Sequence, residues 1–96
     1  MLMLDPELRV KMINGKFEEL TGIRDAQGEV IDTVSRDESF PALLKEMVDK
    51  SLNAGNEGVQ EDYDFASGTH KIHAVALSGI PGRPESYLFL FEKQGD

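Results

Sequence analysis

The stretch Ser86-Tyr87-Leu88-Phe89-Leu90-Phe91-Glu92 decides the fold. Its central residues carry no polar alternate. A strand with one face in water alternates apolar and polar side chains, so this run predicts a strand covered on both faces. Tyr87, Leu88, Phe89, Leu90 and Phe91 therefore belong in the middle of a sheet. Helices of the same chain can cover one face. The other face then meets an outside surface: a second copy, a flanking helix of a longer protein or another domain. In the alternative reading, a terminal segment folds over that face or it stays exposed.

Working backward, Ser78 to Pro84 holds two glycines and two prolines and reads as a loop. Thr69 to Leu77 is a strand, entered from a hairpin-type turn at Ser67-Gly68. Before it, Val59 to Ala66 alternates strictly. Val59, Glu61, Tyr63 and Phe65 share one face and Gln60, Asp62, Asp64 and Ala66 the other; one of the two faces is expected to be wet. Ser39 to Asn53 is the clearest helix, because Phe40, Leu43, Leu44, Met47, Val48 and Leu52 recur at helical spacing. Ser39 is expected to cap it, with Pro41 in its first turn and Gly55 ending it. Lys45 with Asp49, and Glu46 with Lys50, can pair along its wet side.

The N-terminal part reads as a hairpin followed by a short helix. Met1 to Leu4 is a strand, Asp5-Pro6-Glu7 a turn, and Leu8 to Ile13 a second strand with Leu8, Val10 and Met12 on one face. Asn14 is a good helix N-cap, since its side-chain oxygen can accept an orphan amide proton. Phe17 and Leu20 then face the same way, and Gly22 supplies a left-handed C-cap. Arg24 to Glu29 is polar, and Val30, Ile31 and Val34 suggest another short helical or irregular segment.

Ninety-six residues make a single domain, 1–96. The chain has no cysteine, which excludes disulfides, thiolate catalysis and cysteine-ligated metal. No apolar run approaches the ~20 residues of a membrane span, and Met-Leu-Met-Leu lacks the basic flank of a signal peptide. The expected setting is cytoplasmic, without a membrane partner. A net charge of −8, spread along the chain, argues against direct contact with nucleic acid.

Catalytic signatures are missing. There is no Gly-x-Ser-x-Gly elbow, and Gly79-Ile80-Pro81-Gly82 lacks the Gly-Lys-Ser/Thr end of a phosphate loop. The neighbours Glu18 and Glu19 diverge on a helix and suit a solvated face better than a carboxylate pair. His70 and His73 lie three apart in a strand, on opposite faces, so they do not form a shared metal site. No catalytic and no metal-binding residues are assigned, and the chain is not expected to be an enzyme.

The order of elements, with "LDPELRVKMINGKFEELTGI" at the start and "SGIPGRPESYLFLFE" at the end, resembles the PAS domain family. The resemblance covers nearly the whole chain. It implies an α+β fold: a five-stranded antiparallel sheet in the order 2-1-5-4-3 with helices packed on one face. That order puts the last strand at the centre, where its apolar pattern had already placed it.

The resemblance also implies a sensory or dimerisation module, excised from a longer signalling protein such as a histidine kinase, a cyclic-nucleotide enzyme or a transcription activator. Its partners would be a second copy bound through the outer sheet face, an output domain of the same or a partner chain, and a small-molecule ligand. Flavin photoadducts and the yellow-protein type of chromophore need a cysteine and are excluded. The long helix holds no axial histidine, which disfavours haem. Non-covalent flavin stays open, and cofactor identity is unknown. The pocket candidates are Phe17, Leu20, Phe40, Leu44, Met47, Val48, Leu52 and Phe65; the interface candidates are Tyr87, Leu88, Phe89, Leu90 and Phe91. Most of the pocket candidates are large, which favours a second reading: a constitutive protein–protein interaction domain with a filled core and no ligand.

Overall fold

The computed structural model describes residues 1–34, 38–54, 58–65, 68–77 and 85–93 of the chain. The elements run β1 (Leu2–Leu4), β2 (Val10–Ile13), α1 (Gly15–Thr21), α2 (Ile31–Val34), α3 (Ser39–Ala54), β3 (Val59–Phe65), β4 (Gly68–Leu77) and β5 (Ser86–Lys93). The strands form one antiparallel sheet in the order β2-β1-β5-β4-β3. β5 is thus central, flanked by β1 and β4. The expected stops at Gly55 and Ser78 to Pro84, together with Ala66 and Ser67, lie outside the described residues.

Burial alternates along β1, β3 and most of β4 and defines two sheet faces. Leu2, Leu4, Ile72, Ala74, Tyr87 and Phe89 are buried on the inner face. With Val10, Phe17, Ile31, Phe40, Leu44, Met47 and Val48 they make one core between sheet and helices. α3 packs on β3 and β4. Burying a large apolar side chain contributes about 1.5–3 kcal/mol, so this shared core holds the short elements in place.

The first turn is built by Asp5, whose Oδ1 accepts from the backbone N–H of both Glu7 and Arg9 at 2.9 Å. Leu8 sits at φ 64, in the left-handed region, so it does not begin β2 as expected. The expected common face of Leu8, Val10 and Met12 also fails. Leu2 pairs with Ile13, Met3 with Met12, but Leu4 with Val10, so Lys11 is the extra residue of a β-bulge. The bulge reverses the parity of β2: Val10 is buried and Met12 faces outward, 52% exposed. The free edge of β2 is covered at Val10, which bonds through its N–H to Glu29 and through its carbonyl to Gly28.

Asn14 caps α1 as expected. Its Oδ1 accepts from the Phe17 N–H at 3.0 Å, and Gly22 ends the helix at φ 75. Ser39, expected to cap α3, is instead its first residue, and its hydroxyl pairs with the Tyr63 hydroxyl at 2.8 Å. Lys45 bonds Asp32 of α2 rather than Asp49. Lys50 bridges Glu46 and, across to β3, Glu61 at 2.6 Å. Hydrogen bonds that the Lys50 ammonium donates to Glu61 and Glu46 raise its pKa.

Candidate functional site

Functional side chains gather in three regions: the interior between helices and sheet, the outer sheet face, and a cleft at one end of β4 and β5.

The interior is aromatic. Phe17 lies 5.4 Å from Phe91 and 6.4 Å from Phe40, ring centre to ring centre. Phe40 meets Phe65 at 5.6 Å and Tyr63 at 5.5 Å, and Tyr63 meets Phe65 at 4.8 Å. His70 closes the series, edge-on to Phe65 at 5.3 Å with its Nδ1 3.1 Å from the Gly68 carbonyl oxygen. Tilted and edge-on contacts of this kind add roughly 0.5–1.5 kcal/mol each beyond burial. Of the expected pocket residues, Phe17, Phe40, Leu44, Met47 and Val48 are buried in the core, and Phe65 packs against it. Leu52 does not join them; it is 47% exposed on α3. Leu20 also stands apart from the core cluster. Among the described residues, every buried side-chain nitrogen or oxygen has a hydrogen-bond partner.

The expected interface residues divide by parity. Tyr87 and Phe89 are buried on the inner face, and Phe91 contacts Phe17, Phe40 and Phe65 there. They belong to the core, not to an outer surface. Leu88 and Leu90 face outward. Leu88 pairs laterally with Met3 on one side and Val75 on the other, and Met3 pairs with Met12. An unbroken apolar row, Met12-Met3-Leu88-Val75, therefore crosses four strands. Leu90, 45% exposed, and Leu77, 38% exposed, flank it. Beyond Leu90 the surface becomes charged, with Lys71 between Asp62 and Glu92. His73 lies on this outer face, its Nε2 3.3 Å from Glu92, so the two histidines do point to opposite faces. Met12 was missed from sequence because the bulge at Lys11 leaves no local signal, and Met3 and Val75 because only cross-strand pairing with Leu88 places them in the row.

The cleft has a volume of about 390 Å³. Phe17, Leu20, Leu90 and Phe91 supply its apolar walls, and Lys16, His70 and Lys93 its basic groups. Asn14 and Met1 complete it, with the Met1 amino group donating to Asn14 Oδ1 at 2.8 Å. Partial burial, helped by the neighbouring Lys16 ammonium, holds that amino group below its ordinary pKa. No cluster of three or more metal-ligating side chains exists among the described residues. Nor is any described helix long and apolar enough to cross a membrane.

No family model and no curated protein sequence matches the chain. It is similar in structure to an RsLOV variant, with a TM-score of 0.64 and 18% sequence identity. The match covers 99% of this chain and 60% of that one, so the chain spans about three-fifths of its structural neighbour. LOV domains are members of the PAS family. The strand order and the flanking helices match in kind, and the chain has a PAS/LOV fold.

Proposed function

We propose that the chain is a PAS-type signalling module that works through the outer face of its sheet, pairing there with a second copy and biasing an output domain. The observation that carries this reading is the apolar row Met12-Met3-Leu88-Val75, flanked by half-exposed Leu90 and Leu77. Contiguous exposed apolar surface of this kind favours association, since the hydrophobic term scales with area withdrawn from water. β5 links that face to the interior, because Leu88 and Leu90 alternate along it with Phe89 and Phe91. A shift in packing around Phe91 would move Leu90 with it. A ligand shifts such an equilibrium only as far as it binds the two states differently.

Sedimentation velocity across a concentration series tests the association. A reversible dimer that Leu90→Glu abolishes supports the reading; a monomer at high concentration removes it.

The interior aromatic cluster favours a second reading, a constitutive interaction domain with no ligand. Native mass spectrometry and thermal-shift screening of metabolites separate the two. A ligand at a hundred times its dissociation constant adds about 2.7 kcal/mol of stability. A retained small molecule, or a raised midpoint, selects the sensory version.

A further inference from the structure

We propose that the cleft at the end of β4 and β5 is a binding site for a small carboxylate with an apolar body. Three independent observations point to that chemistry. First, its volume, about 390 Å³, falls in the ~300–1,000 Å³ range of small-molecule sites. Second, its charge runs against that of the chain. The protein has 18 acidic residues against 10 lysines and arginines, yet among the described residues the cleft is lined by Lys16 and Lys93, with His70 beside them, and by no Asp or Glu side chain. Third, the two lysines are uncommitted. Neither Lys16 nor Lys93 makes an ion pair or side-chain hydrogen bond among the described residues, whereas Lys45 and Lys50 are both paired.

The two kinds of wall divide the ligand. Phe91 and Leu20, both half-buried, offer apolar surface to an apolar body, and Phe91 packs on buried Phe17 at 5.4 Å. Lys16, on the exposed first turn of α1, and Lys93, at the end of β5, offer ammonium groups to an anion. Asn14 Oδ1 accepts from the Phe17 amide and the Met1 amino group and, as an acceptor, does not bind an anion; the Lys16 and Lys93 ammonium groups are the cationic donors for it. This site borders the aromatic interior and shares Phe17, Phe91 and His70 with it. Leu90 lines the cleft and also stands on the outer sheet face, so an occupant of the cleft touches a side chain of the association surface. Only this last step, from ligand to association, rests on the proposed function above.

The test uses 3-phenylpropanoate, its neutral amide, hexanoate and inorganic phosphate, titrated into the isotopically labelled full chain and followed by NMR. Phenylpropanoate is expected to give saturable shifts at Lys16, Leu90, Phe91 and Lys93. The amide is expected to bind at least tenfold more weakly, and so is phosphate. Comparable binding of hexanoate assigns the body to aliphatic acids in general; weaker binding assigns it to aromatic ones. Lys16→Glu and Lys93→Glu, both at exposed positions, are expected to weaken phenylpropanoate tenfold or more while leaving the dispersed spectrum intact. No saturable shift at millimolar phenylpropanoate, equal binding of the amide, or shifts mapping elsewhere overturns the proposal. Sedimentation of the same samples keeps the two readings apart. A dimer that binds no carboxylate defeats the cleft alone, and a monomer that binds it defeats the association alone.

Discussion

Phe89 and Leu90 are neighbours on β5 that face opposite sides of the sheet: Phe89 is buried opposite Leu2 and Ala74, while Leu90 stands half-exposed opposite His73. One residue of register separates the core from the outer face proposed for association. Glutamate at the two positions should therefore fail in different ways. Phe89→Glu puts an unpaired carboxylate among apolar side chains and is expected to unfold the chain, seen as loss of circular dichroism. Leu90→Glu is expected to keep the spectrum and raise the dimer dissociation constant about a hundredfold, or ~2.8 kcal/mol. Equal effects on folding would show that the face assignment of β5 is wrong.

The cap of α1 is a second point of leverage. Asn14 Oδ1 accepts from the Phe17 amide, and Phe17 is the residue through which α1 anchors in the core. Asn14→Ala is expected to cost about 1 kcal/mol, within the ~0.5–2 kcal/mol of lost caps. Phe17→Ala removes a buried ring and is expected to cost ~3–5 kcal/mol. Urea denaturation measures both. A cap mutant as damaging as the ring deletion would contradict this division.

Gly58, just before β3, adopts φ +69, and a Cβ there would stand 3.0 Å from the Ala74 carbonyl oxygen and 3.2 Å from the Val75 side chain. Backbone strain and a close approach to β4 add. Gly58→Ala is expected to destabilise by more than ~1 kcal/mol, against the usual gain from replacing glycine. Gly15, where an added Cβ meets nothing within 4 Å, is the control and should tolerate alanine.

Tyr87 supplies a pH prediction. Burial, with a smaller contribution from the Asp49 carboxylate, raises its hydroxyl above the ordinary pKa of 10.0. Above that value the unfolded chain loses this proton before the folded one does. The stability contribution is therefore complete below pH 10 and is lost as pH rises through the folded pKa. Tyr87→Phe is expected to match the unmodified chain at pH 7 and to exceed it in melting temperature above pH 10. Parallel melting curves through the alkaline range would refute the shift.

Most of the elements, and the centre of the sheet, are legible in local residue patterns. Asn14 and Gly22 mark the ends of α1 because capping is local chemistry, settled by a side-chain oxygen and a left-handed backbone. The strict alternation of Val59 to Phe65 and the continuous apolar run of β5 report faces and position directly, and the sheet order agrees. Tertiary structure decided the rest. The side chains of β5 that enter the core, Tyr87, Phe89 and Phe91 rather than Leu88 and Leu90, follow from its register against β1 and β4, and an all-apolar strand carries no mark of its own parity. The bulge at Lys11, which turns Met12 outward, arises from pairing between strands and not from any residue near it. Leu52 shares the helical spacing of the α3 stripe yet lies outside the core, because the core covers only part of that helix. The cleft joins Lys16, His70 and Lys93 from three separate elements, and a charge arrangement of that kind exists only once the chain has folded.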